Sequence, residues 1–162
     1  MLVGVPKEIK NHEHRVGMSP TSVREMVKHG HEVVVESGAG AGIGAGDDAY
    51  VAAGARIAAG APAIFASADM IVKVKEPQAS ERAMLRDGQV LYAYLHLAPD
   101  AEQTRDLVAS GATCIAYETV TSPRGGLPLL APMSKVAGRM AVQAGAHSLE
   151  APQGGAGLLI GG

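Results

Sequence analysis

The sequence predicts an α/β domain of three layers: a largely parallel, flavodoxin-like sheet covered by helices on both faces, ending in a long connecting helix. Three observations predict it. Apolar runs of strand length recur at 2–5, 32–35, 70–74, 90–95 and 113–117. Several are apolar almost throughout, as strands buried on both faces must be. Helical patterns lie between them, and alternating strand and helix is the mark of parallel βαβ units.

Each element has its own justification along the chain. After the run at 2–5 comes a polar stretch, 7–15, before apolar texture resumes at Val16. Ser19 is placed as a helix N-cap with Pro20 at the first helical position. Val23, Met26 and Val27 then repeat at helical spacing until Gly30 closes the helix. Segments 47–53 before Gly54, 80–86 before Gly88, and 100–109 before Gly111 repeat that arrangement. Beyond Pro132 the texture changes. Ser134 is placed to cap a longer helix whose Val136, Ala137, Met140, Ala141, Ala144 and Ser148 form a narrow stripe of mostly small residues, suited to close approach by another helix or subunit. The glycine-rich stretch 152–157 breaks that helix, and 158–162 is apolar before two glycines. The organisation expected is therefore a substrate-binding domain at 1–132, with 133–162 as a connecting helix and glycine-rich tail leading to a further domain. The stripe also predicts self-association.

Composition narrows the function. A chain of 162 residues with 47% hydrophobic content suits one well-filled domain. Lys and Arg number 14 against 16 Asp and Glu, with 4 Tyr, 1 Phe and no Trp, so nucleic-acid binding lacks both a basic footprint and a stacking platform. The single Cys114 cannot form an internal disulfide and reads as a buried strand residue. No secretion signal is evident, and no apolar run approaches the roughly 18 residues of a membrane span. A soluble protein of the reducing cytoplasm is expected.

Three side chains carry the candidate chemistry: Arg15 after the first run, Lys75 after the third and His96 at the exit of the fourth. In an open parallel sheet the carboxyl ends of the strands share one edge, so these distant residues can line one crevice. Arginine meets a carboxylate with a planar fork, lysine offers a point charge to a carbonyl oxygen, and histidine titrates near neutrality. Together they suit a small keto acid. Lys73 competes with Lys75 because strand alternation puts both on one face; Lys75, nearer the strand end, is preferred. The glycines at 38–46 satisfy a loose dinucleotide pattern from Gly40, but Asp47 and Asp48 open the next helix and would repel phosphate, and no acidic strand end follows at the required distance. That segment is read as a flexible surface loop. His12, His14, His29, His31 and His147 show no metal-ligand spacing, and no serine or cysteine lies in a nucleophile elbow.

Taken in order, the segments MLVGVPKE with Asn11, Glu13 and Arg15-Val16, then HGHEV at 29–33, KVKEP at 73–77, LHLA at 95–98, AYETV at 116–120 and LPLLAPMS at 127–134 closely resemble the amino-terminal part of bacterial alanine dehydrogenases. A related domain occurs in the α-subunit of proton-translocating transhydrogenase, which shares the segment around Arg15 but not the Lys75 and His96 pair. The resemblance implies reversible, NAD-dependent oxidation of L-alanine to pyruvate and ammonium in a cytoplasmic homo-oligomer, hexameric in that family. It places the carboxylate-binding arginine on Arg15, the substrate-binding lysine on Lys75, the proton donor and acceptor on His96, and a cofactor-contacting serine on Ser134. In the family a Rossmann domain follows, bringing most NAD contacts and a catalytic aspartate, so this chain by itself is expected to be inactive. Two other readings stand beside it: a non-catalytic pyruvate-binding or subunit-assembly module, and a transhydrogenase α-subunit domain.

Overall fold

The computed structural model describes residues 1–161. Six strands, β1 (Leu2–Val5), β2 (Glu32–Glu36), β3 (Arg56–Ala58), β4 (Met70–Val72), β5 (Val90–Ala93) and β6 (Thr113–Ala116), form one parallel sheet in the order β3-β2-β1-β4-β5-β6. The five anticipated runs stand in the flavodoxin-like order. The sixth strand, β3, was not anticipated and extends the edge beside β2. It is three residues long, half exposed, and set in an alanine-rich stretch with no period to betray it.

The helices are α1 (Pro20–Lys28), α2 (Asp47–Ala52), α3 (Ala61–Ser67), α4 (Ala79–Arg82) and α5 (Ala101–Ser110). Ser19 caps α1 by accepting the Ser22 N–H at 3.3 Å, and Asp100 caps α5 by accepting from the Gln103 N–H at 2.9 Å. Helix α3 is the second element that periodicity did not announce. Helix α4 is one turn long instead of spanning 80–86. Its end tightens into bonds from Met84 N–H to the Glu81 carbonyl and from Leu85 N–H to the Arg82 carbonyl, which turn Leu85 into the core.

The sheet is buried on both faces because its side chains alternate. Val33 and Val35 pack with Val3, Val5, Val23 and Tyr50 on one side, while Val34 joins Ile64, Phe65, Ile71 and Leu91 on the other. The chain divides into two compact units, Met1–Tyr117 and a second from Glu118 onward. The second unit is built on α6 (Ala131–Leu149) and a following turn at Ala151–Gln153; α6 buries none of its residues, and Val136, Met140 and Val142 are each more than half exposed. No helix among the described residues is long and apolar enough to cross a membrane.

Candidate active site

The strand order reverses at β1, with β2 on one side and β4 on the other, which is where open parallel sheets commonly take ligands at their carboxyl ends. Segment 6–17, which carries Arg15, crosses that point, pinned there by three contacts and braced internally by a fourth. Glu8 is the first. Its carboxylate accepts the Val74 N–H at 2.7 Å and the Lys75 N–H at 3.4 Å with one oxygen, and Lys73 Nζ at 3.1 Å with the other. Gly17 is the second: a Cβ there would stand 2.3 Å from the Val72 carbonyl oxygen, so only glycine lets the segment rest on the end of β4. Gly42 is the third, since its Cβ would lie 2.0 Å from the His14 carbonyl oxygen. The fourth is Glu13, which grips Arg15 from its own segment.

Lys73 did not enter the site that sequence reasoning preferred, and the structure shows why. Its side chain is wholly buried between Glu8 and Glu81, with Nζ 2.7 Å from Glu81 Oε1. Burial outweighs the lysine's charge and holds the Glu81 carboxyl above its ordinary range. A lysine between two valines in an apolar run was the available signal, because a charge buried there requires counter-charges. Lys75, two residues on, is half-buried and lies outside that buried network.

Arg15 is not the free fork that its position suggested. Nε donates to Glu13 Oε1 at 2.8 Å and Nη2 to Glu13 Oε2 at 2.6 Å, while the Arg15 N–H also reaches Oε1 at 2.8 Å. The Glu13 hydrogen bond to Arg15 holds that carboxyl at about 2, although burial opposes it. Glu13 thus occupies the side edge of the guanidinium and leaves the Nη1–Nη2 end for a second anion. A cleft of about 200 Å³ lies beside it, lined by Lys7, Glu13, His14, Arg15, Ala39 and Gly42.

His96 leaves β5 with φ 48°, a left-handed backbone that aims its ring away from the strand's alternation. Its Nδ1 lies 3.4 Å from Glu76 Oε2, and its ring centroid is 6.2 Å from that of Tyr94. Arg15, Lys75 and His96 thus stand on the segments that follow β1, β4 and β5 respectively. Lys75 and His96 do not line the cleft beside Arg15. Ser134 belongs to the second unit and is not a cap: α6 begins at Ala131, and the Ser134 hydroxyl donates to the Leu130 carbonyl one turn back, at 3.3 Å. Cys114 is half-buried on β6.

The glycine-rich segment is not a free surface loop. It forms a short 3₁₀ turn at Ala41–Ile43, its Gly40 packs on the Tyr50 ring, and Asp47 ties it down by accepting from the Ser37 hydroxyl at 2.6 Å and the Gly38 N–H at 2.8 Å. A carboxylate in the first turn of α2, held by the turn itself, is an unsuitable neighbour for a pyrophosphate. Among the described residues no group of three His, Cys, Asp or Glu could hold a metal ion.

The fold is a doubly wound parallel domain, with Arg15, Lys75 and His96 on the segments that follow β1, β4 and β5. Residues 4–137 match the family model described as the alanine dehydrogenase/PNT amino-terminal domain. The chain belongs to that family. It is 60% identical over 160 residues to an alanine dehydrogenase of Halomonas elongata, covering 99% of this chain and 43% of that protein. It is 51% identical over 162 residues to an alanine dehydrogenase of Mycobacterium tuberculosis, covering 44% of it. A solved L-alanine dehydrogenase superposes over the whole chain with TM-score 0.86 and 52% identity, covering 45% of that structure. A transhydrogenase from Sinorhizobium meliloti matches 73% of the chain, and 35% of its own, with TM-score 0.68 and 36% identity. The chain therefore spans less than half the length of the relatives it matches.

Proposed function

We propose that this chain forms the substrate-binding half of a cytoplasmic, NAD-dependent L-alanine dehydrogenase, which interconverts L-alanine and pyruvate plus ammonium. The observation that carries this reading is the placing of Arg15, Lys75 and His96 on three carboxyl-end segments of one parallel sheet. In the aminating direction the Nη1–Nη2 end of Arg15 takes the pyruvate carboxylate, and Lys75 draws electron density toward the carbonyl oxygen as ammonia adds to the carbon. His96 then protonates the carbinolamine hydroxyl, which departs as water and leaves the iminium. In the oxidative direction His96 takes a proton from the attacking water.

NAD supplies the hydride acceptor when bound, but the residues described here do not fit its pyrophosphate, because Asp47 occupies the glycine-rich turn. We therefore assign most of the dinucleotide site to another domain, with 133–162 as the connection and Ser134 as the one cofactor contact proposed from this chain. In the whole enzyme, Lys75→Ala and His96→Ala should each abolish alanine-dependent NADH formation while leaving the circular dichroism of the protein unchanged. Wild-type turnover in either variant would remove the catalytic assignment. Pyruvate binding without turnover by the whole protein would favour a non-catalytic binding or assembly module. The Lys75 and His96 pair favours the dehydrogenase over the transhydrogenase-type domain.

A further inference from the structure

We propose that Glu76 is the positioning residue for His96, and that its carboxylate holds the neutral imidazole in the Nδ1–H form. The proposal rests on the reading of His96 as the proton carrier. Glu76 Oε2 lies 3.4 Å from His96 Nδ1 and has no hydrogen-bond partner among the described residues, although the side chain is only 14% exposed. The other oxygen, Oε1, is held by Lys10 Nζ. A carboxylate oxygen this enclosed and unpaired requires a donor, and His96 Nδ1 stands at ion-pair distance from it, a small ring rotation short of a hydrogen bond. The pairing leaves Nε2 as the nitrogen that exchanges protons with the substrate.

The local sequence builds Glu76 for this role. Pro77 confines Glu76 to extended backbone, and the Gln78 side-chain amide donates to the Glu76 carbonyl at 3.0 Å, so the residue is fixed from behind. The left-handed turn at His96 fixes the imidazole from its side. Lys10 supplies the balance. A bare carboxylate would keep the imidazole charged and slow its release of the proton, whereas one shared with an ammonium orients the ring while exerting less of its charge on it. Three carboxyl-end segments, after β1, β4 and β5, thus meet in a Lys10–Glu76–His96 chain of which only the last member is exposed by more than half.

The test is a long-range ¹H–¹⁵N correlation spectrum of the imidazoles in the uniformly ¹⁵N-labelled chain, about two units above the ordinary histidine pKa, with His96 assigned by the loss of its signals in His96→Asn. Wild type should show His96 protonated on Nδ1. Glu76→Gln should shift the population toward the Nε2–H form that is commoner in free imidazole side chains, and Glu76→Asp should partly retain the wild-type pattern. A wild-type His96 that is mainly Nε2–H would overturn the proposal, as would an unchanged tautomer in a folded Glu76→Gln. The wild-type spectrum decides the tautomer unaided, so a variant that fails to fold does not shield the idea. In the whole enzyme Glu76→Gln should lower kcat by roughly 10- to 100-fold with little change in KM for pyruvate, part of what a positioned proton-transfer group supplies. An active His96→Ala enzyme beside the expected tautomers would instead overturn the dehydrogenase role of His96 while leaving the Glu76 pairing intact.

Discussion

At the scale of single residues, carboxylates decide what the cations can do. Sequence position nominates Arg15, Lys75 and His96, because each follows a strand at the edge where crevices form. It did not reveal Glu13 and Glu76, which hold the first and last of them. A glutamate two residues before an arginine carries no periodic signal, and the pairing of Glu76 with His96 spans two strands. The hold of Glu13 on Arg15 has a pH signature. Its carboxyl titrates at about 2, below the ordinary 4.5, so the stability it contributes is present above pH 4.5 and is lost as pH falls through about 2. Urea midpoints of wild type and Glu13→Gln should therefore differ at neutral pH and converge on acidification toward pH 2. A gap that stayed constant over that range would show that the ion pair does not stabilise the fold.

At the scale of elements, period and capping located β1, β2, β4, β5, β6, α1, α2, α5 and α6, since each carries either a long apolar run or a side-chain or glycine boundary. They failed at β3, α3 and the end of α4. The first two lie in an alanine-rich stretch where almost any period can be drawn, and only tertiary packing of Ile64 and Phe65 selects the helix. Helix α6 starts earlier than the capping pattern at Ser134 indicates, because Pro132 sits inside its first turn, where the missing N–H costs nothing. The junction of β1 and β4 depends on a buried charge that alternation alone could not place. Lys73→Met should lower the unfolding free energy by about 3–5 kcal/mol, because it leaves the buried Glu8 and Glu81 without their counter-charge. Lys75→Met should cost less than about 1 kcal/mol, as befits a side chain outside that network. Equal costs in urea denaturation would mean that Glu8 is not anchored through Lys73.

At the scale of the molecule, the chain joins a doubly wound unit with a filled core to a helical unit whose longest helix buries nothing. We expect α6 to be covered in the assembled enzyme, with copies of the chain associating through the stripe of Ala137, Ala141 and Ala144. Ala141→Glu should then weaken self-association in sedimentation, by placing an unpaired charge in the contact; a monomer at high concentration, unaltered by the substitution, would refute it. In the other unit, we propose that Arg15 and Lys75 bind a small carboxylate at the switch point of the sheet. Titrating pyruvate into the ¹⁵N-labelled chain and following its amide resonances tests that claim most directly. Saturable shifts are expected at 13–15, 74–76 and 95–97, weakening sharply in Arg15→Lys, where a point charge replaces the guanidinium fork. Saturable shifts elsewhere, no saturation, or an unchanged affinity in Arg15→Lys would contradict it.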